Sequence, residues 1–338
     1  MLNRRDVLAS LAAVLALPGG AARAAEREVT DMARRRVSLP QRIERVVTLG
    51  SLPVLNSFVF TLGEGRTLLN GLADFDRPHW KYQIVFAPNL AGAPAMQQPN
   101  REPNVEAILL ARPDVVLTMH RESVAPLEAR GLKVIFLAWR APEDVKACMT
   151  LLGEVFNKQE AAARYRRYFD ETLERVAAGL RGVPADARPR VLYLQPGTLT
   201  QPRLIAEWWI AAAGGISVTE DGRTAESRTV SLEQVVLWDP DILIVTEPRD
   251  VAFVYQDRVF RQLGAVRTGR VHVVPVGAHH WSNRTAEQPL TVLWAARTFH
   301  PGRFPALDLA AETASFYRGF FGYAPSEAQL SEILSGAL

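Results

Sequence analysis

The stretch Asn104-Val105-Glu106-Ala107-Ile108-Leu109-Leu110-Ala111-Arg112-Pro113-Asp114-Val115-Val116-Leu117 is answered later in the chain by Ser231-Leu232-Glu233-Gln234-Val235-Val236-Leu237-Trp238-Asp239-Pro240-Asp241-Ile242-Leu243-Ile244. Glu106 and Glu233 lie 127 positions apart, and so do Pro113 and Pro240. Each copy opens on a polar residue suited to cap a helix, with a glutamate in the first turn, where the positive end of the helix dipole favours it. Each then runs through a short helix to a Pro-Asp stop. The β-branched run that follows has the unbroken apolar character of a strand covered on both faces. The likeness extends outward: Gly131-Leu132-Lys133-Val134-Ile135-Phe136-Leu137 matches Gly269-Arg270-Val271-His272-Val273-Val274-Pro275. Arg45-Val46-Val47-Thr48-Leu49 and Arg190-Val191-Leu192-Tyr193-Leu194 lead the two halves. Strands alternating with helices predict parallel α/β layers, and two similar halves predict two such lobes.

Between the halves, Asn157–Leu180 reads as one helix. Asn157 with Glu160 forms a capping-box pattern, and Ala161, Tyr165, Phe169, Thr172, Val176 and Leu180 fall on one face. A rod of these 24 residues would be about 36 Å long. It would cross the molecule once and restrict hinge motion. Before it, Pro142–Phe156 is a helix carrying Cys148, the sole cysteine, read as a buried, inert thiol. After the second half come helices at Ala286–Arg297 and Leu309–Phe321, the latter stopped by Gly322, and a short helix capped by Ser326. Phe316, Tyr317, Phe320 and Phe321 are read as core.

The 338 residues exceed the roughly 250–300 at which single cores stop growing. The N-terminus reads as an export signal. Arg4-Arg5 precede the apolar run Val7–Leu17, too short to span a bilayer, and Ala22-Arg23-Ala24 is an A-x-A cleavage site. Arg4-Arg5-Asp6-Val7-Leu8 has the look of a twin-arginine signal, with an ordinary secretory signal as the alternative. The expected organisation is 1–24 signal peptide, 25–156 first lobe, 157–181 linking helix and 182–338 second lobe with a helical tail. The net charge of +3 falls to +1 once residues 1–24 are removed, which leaves no basic stripe for nucleic acid. A soluble, monomeric, exported protein is expected.

In open parallel sheets, ligands bind outside the carboxyl ends of the strands. That rule selects His120 and Arg121, Trp139, Thr198, and the run His279-His280-Trp281-Ser282-Asn283-Arg284. The polar, aromatic loop Asp74–Tyr82, with His79, Trp80 and Tyr82, lies between strands of the first lobe. Four of the six histidines fall in these places: His79, His120, His279 and His280. They are candidate metal ligands, and with Tyr82 and the arginines they could clamp an anionic chelate. In extended chain His279 and His280 would point opposite ways, so one of them is expected to pack away from the cleft. His272 and His300 are read as structural. The competing reading is a metallohydrolase using His279 and His280 with Glu247 or Asp250. No His-Glu-x-x-His, Gly-x-Ser-x-Gly or phosphate-loop signature supports it, and the chain is read as a binder, not an enzyme.

The signal, Val29-Thr30-Asp31-Met32, Pro40, Arg45-Val46-Val47, the two repeat copies and the lone rod, in that order, resemble the helical-backbone (class III) periplasmic binding proteins of ABC importers for iron siderophores, haem and vitamin B12. The tail, from Trp294-Ala295-Ala296-Arg297 through His300-Pro301 to Phe316-Tyr317 and Phe320-Phe321-Gly322-Tyr323, resembles the branch with iron-complex, nickel and molybdate/tungstate binders. The resemblance implies two Rossmann-like lobes with parallel sheets joined by one rigid helix. It also implies that the Asp74–Tyr82 loop faces the cleft. No cofactor is implied, only cargo: a metal chelate, foremost a ferric siderophore or other iron complex, with molybdate/tungstate, nickel or cobalt chelate and cobalamin as alternatives. The implied partner is an inner-membrane ABC permease with its cytoplasmic ATPase, its arginines paired with Glu106 and Glu233. One departure stands out: where the family has glycine in its opening turn, this chain has Ala33-Arg34-Arg35-Arg36.

Overall fold

The structure is a computed structural model, described over residues 26–71, 80–98, 100–138, 141–202, 207–220 and 227–337. The export segment, His79 and Trp139 lie outside the described residues. The chain opens with the antiparallel hairpin β1 (Glu26–Thr30) and β2 (Arg36–Pro40). The first lobe then runs β3 (Val46–Leu49), α1 (Leu52–Thr61), α2 (Lys81–Phe86), α3 (Val105–Ala111), β4 (Val115–Thr118), α4 (Val124–Glu128), β5 (Val134–Phe136) and α5 (Pro142–Val155). The rod is α6 (Gln159–Gly179). The second lobe runs β6 (Arg190–Tyr193), β7 (Thr200–Gln201), α7 (Trp208–Ala212), β8 (Ile216–Ser217), β9 (Arg228–Thr229), α8 (Leu232–Trp238), β10 (Ile242–Val245), α9 (Pro248–Gln256), α10 (Gly264–Arg267) and β11 (Val271–Val273). The tail is α11 (Gln288–Phe299), α12 (Leu309–Phe316) and α13 (Glu327–Ser335).

The repeat has a physical basis in its Pro-Asp step. Asp114 accepts the amides of Glu44 and Arg45 at 2.8 and 2.9 Å, and Asp241 accepts the amide of Arg190 at 2.8 Å. In return the Arg45 guanidinium donates to the carbonyl of Ala111 at 2.5 Å, and that of Arg190 to the carbonyl of Trp238 at 2.7 Å. In each lobe the aspartate holds the start of the leading strand, and the arginine satisfies an orphan carbonyl at the end of α3 or α8. The sheets that result are parallel and equivalent. One is ordered β5-β4-β3, with Leu68 bridging Val46 at its far edge; the other is ordered β11-β10-β6-β8.

Side chains alternate across each sheet. Val47, Val116 and Val134 face an outer core with Ile108 of α3. Leu192, Leu243 and Val245 face its counterpart with Val235 of α8. The opposite faces, with Val46, Val115, Val191 and Ile242, join one continuous core shared by both lobes and the rod. Every residue of α1 is buried, because it lies between its sheet, α6 and the tail. It is apolar except for Asn56, Ser57 and Thr61, whose side chains are buried and hydrogen-bonded. Its Leu52, Leu55 and Phe58 each contribute about 1.5–3 kcal/mol by leaving water.

The rod starts later than the sequence predicts. Asn157 does not cap it: at φ 55° this residue ends the preceding helix, and its amide donates to the carbonyl of Gln41 at 2.6 Å. Lys158 stands at the cap, and the 21-residue helix is about 32 Å long. Its buried face is Ala162, Tyr165, Phe169, Thr172 and Val176. The tail aromatics are core, but the core they join reaches into the first lobe: Phe321 meets Phe60 at 5.6 Å, and Tyr317 meets Phe86 at 4.9 Å between ring centroids. No helix among the described residues is long and apolar enough to cross a membrane.

Candidate functional site

The carboxyl ends of β3 and β4 meet at Gly50, which takes φ 99°. The Gln97 side chain holds both backbone groups of this residue: Gly50 N–H donates to its Oε1 at 2.7 Å, and its Nε2 donates to Gly50 O at 3.1 Å. A Cβ on Gly50 would lie 3.3 Å from Nε2 of His120, so glycine here lets the imidazole approach the backbone. The backbone then turns into α1, which has no acidic residue in its first turn and no side-chain cap. Its positive dipole end favours negative charge, although the Leu52 amide donates to the Gly50 carbonyl at 3.1 Å and Pro53 has no N–H to offer. His120 is half-buried, and Arg121 is exposed with its guanidinium over the Phe136 ring at 5.9 Å.

In the second lobe the chain leaving β11 does not stay extended. Val276 bridges back to His280, and Gly277 N–H donates to the carbonyl of His279 at 3.0 Å. This tight turn overrides the alternation expected of extended chain. Both imidazoles gather at one ring: Trp80 lies 4.9 Å from His279 and 6.3 Å from His280. The loop is held from beneath by Glu287, fully buried, which accepts the Ala278 amide at 2.8 Å, the Thr285 hydroxyl at 2.9 Å and the Tyr317 phenol at 2.6 Å. The His279 amide donates to it as well, and burial still raises its carboxyl above the ordinary range. A side chain on Gly277 would land on Tyr317 and Glu287, so only glycine fits at that turn.

Gln83 joins the two halves of the site. Its Nε2 donates to the carbonyls of Ala278 at 2.5 Å and Pro53 at 3.2 Å. Its Oε1 accepts from Asn56, whose own Oδ1 accepts from Thr48, both at 2.9 Å. This buried polar chain sets the His279 turn beside the start of α1, where His120 also lies.

Two predicted contacts fall elsewhere. Trp281 is fully buried in the shared core, and so is Tyr82, whose phenol donates to Glu332 at 2.9 Å. The tail, folded back over α2, takes both rings out of the cleft. Arg284 is 5% exposed, and Thr198 is exposed in the turn after β6. Glu247 and Asp250 serve the start of α9, the Asp250 carboxylate accepting the Glu247 amide at 3.2 Å. His300 lies 3.1 Å from the Gly214 carbonyl through Nε2, and burial lowers the pKa of His272. Glu106 and Glu233 are both exposed, behind caps made by Asn104 and Ser231. The Glu233 carboxyl is held below its usual range by its own amide and the Ser231 hydroxyl. Among the described residues no three His, Cys, Asp or Glu side chains gather to hold a metal ion. Gln83, Gln97 and Glu287 were not picked out from sequence, since no motif surrounds them; only the glycines at 50 and 277, each just past a strand, mark the places they serve.

Residues 67–276 match a family model described as periplasmic binding protein. A curated relative, the molybdate-binding protein MolA of Haemophilus influenzae, is 25% identical over 334 residues, covering 90% of this chain and 94% of its own. The solved structure of MolA bound to molybdate superposes with a TM-score of 0.78 at 21% identity, over 89% of this chain and 99% of that one. A periplasmic solute binding protein from Veillonella parvula gives a TM-score of 0.79 at 24% identity, over 92% of this chain and 97% of that one.

Proposed function

We propose a cargo class on the premise that follows from that match: the chain belongs to the periplasmic binding protein family. We read it as the solute-binding component of an ABC importer, cut from its export signal near residue 25. It carries cargo and transforms nothing. It would pass that cargo to a membrane permease, with Glu106 and Glu233 as charged contacts.

The cargo is an anion, and a compact oxyanion of the molybdate/tungstate class fits best. The observation that carries this reading is the uncapped start of α1, without an acid in its first turn, flanked by His120 and by the His279–His280 turn. The helix dipole attracts negative charge there, and N–H donors on the imidazoles add hydrogen bonds to an anion. The relative that binds molybdate supports the same choice. A second reading, an anionic iron or nickel chelate, is favoured by the three rings of Trp80, His279 and His280, which could lie against a flat chelator. Calorimetric titration of residues 26–338 with molybdate, tungstate, sulfate and a ferric catecholate separates the two. Saturable binding of molybdate or tungstate alone supports the oxyanion. Binding of the ferric catecholate alone replaces it with the anionic chelate.

A further inference from the structure

The helices α3 and α8 carry more than their glutamates. Leu110 is 86% exposed and Leu237 is 77% exposed; beside them Leu109 and Val236 are 38% and 42% exposed. Each pair occupies the same two positions of the repeat. One exposed leucine on a surface needs no explanation, but the same apolar pair at the same place in both lobes does. In each helix the pair stands three and four residues after the glutamate, hence on the face the carboxylate shares. Ile108 and Val235, fully buried, anchor the opposite face in the outer cores, so the pairs are not needed to fill those cores.

We propose that Leu109–Leu110 and Val236–Leu237, each beside its glutamate, are twin apolar knobs that dock this chain onto a partner presenting the same recess twice across a twofold axis. This rests on the importer reading, and the partner it fits is the permease. Two like patches on one chain call for two like surfaces on the other side. Each patch is led by a carboxylate, so a second copy of this chain would set acid against acid, whereas a partner with a cationic side chain beside each recess is complementary. The knobs supply the desolvated contact that holds the complex, and the glutamates set its register.

The test places a photoreactive benzoylphenylalanine in turn at positions 106, 110, 233 and 237 in cells that express the full chain, and identifies each crosslinked product by mass spectrometry. The proposal expects positions 110 and 237 to capture one and the same multi-spanning membrane polypeptide. A Leu110→Gln/Leu237→Gln variant should need at least about tenfold more protein for half-maximal docking to that polypeptide. Its molybdate retention in dialysis should be unchanged. Crosslinks to a second copy of this chain, or to different proteins at the two positions, overturn the proposal. Capture of a transporter subunit at 106 and 233 but not at 110 and 237 overturns the knobs and leaves the importer reading standing. A shared partner that is not a transporter subunit overturns both.

Discussion

The side-chain amide of Gln83 donates to the backbone carbonyl of Ala278 at 2.5 Å, out of water and across the boundary between the lobes. With the continuous core behind it, this bond makes the His279 turn and the start of α1 parts of one rigid frame. Gln83→Leu removes a donor from Ala278 and an acceptor from Asn56 while keeping the volume. Each buried group left unpaired costs about 1–3 kcal/mol, so stability should fall by about 2–5 kcal/mol in urea denaturation. A loss near zero would mean that water replaces the amide and that the lobes are not held there.

Trp281 belongs to the core, and its truncation should be felt as stability, not as affinity. Trp281→Ala is expected to cost about 3–5 kcal/mol. Whatever fraction stays folded, measured at low temperature, should bind cargo within a few-fold of wild type. A stable Trp281→Ala protein that has lost its cargo would return the ring to the cleft.

Glu287 makes stability depend on pH. Burial raises its carboxyl above the ordinary 4.5, so the folded chain holds this proton more tightly than the unfolded chain does. The contribution of this group to stability therefore falls as pH rises from about 4.5 towards the folded value. Glu287→Gln does not titrate. Denaturation curves at a series of pH values should show the wild type losing ground against Glu287→Gln as pH rises through that window. Parallel pH profiles would show that the four donors around the carboxylate fully offset its burial.

Arg34 sits at φ 61° in the turn between β1 and β2, where glycine is unstrained. Left-handed backbone costs a side chain about 1–2 kcal/mol, of which the greater unfolded freedom of glycine returns part. Arg34→Gly should stabilise the chain by about 0.5–1 kcal/mol, read as a rise in the thermal midpoint. Destabilisation would mean that the arginine side chain makes a contact worth more than the strain.

The sheets were legible because their signals are local and doubled. Pro113-Asp114 and Pro240-Asp241 end a helix, and each aspartate then binds the start of the leading strand of its own lobe in the same way. The strand-end rule also reached His120 and the His279–His280 turn. What it missed depends on long-range packing. Tyr82 and Trp281 read as cleft aromatics until α13 and Tyr317 cover them. Glu287, in a stretch with no motif, acquires its role only when the turn at Gly277 folds over it. The opposite pointing of His279 and His280 followed from extended geometry, which the Val276–His280 bridge abolishes.

If the start of α1 and its flanking histidines hold a compact metal oxyanion, equilibrium dialysis of residues 26–338 against molybdate, with bound metal counted by plasma mass spectrometry, should find one molybdate retained per wild-type chain. His120→Ala should retain it roughly 10- to 150-fold more weakly, the loss of one charge-assisted bond of about 1.5–3 kcal/mol. No retention of molybdate or tungstate by the folded wild type, or equal retention by His120→Ala, would remove the oxyanion from this site.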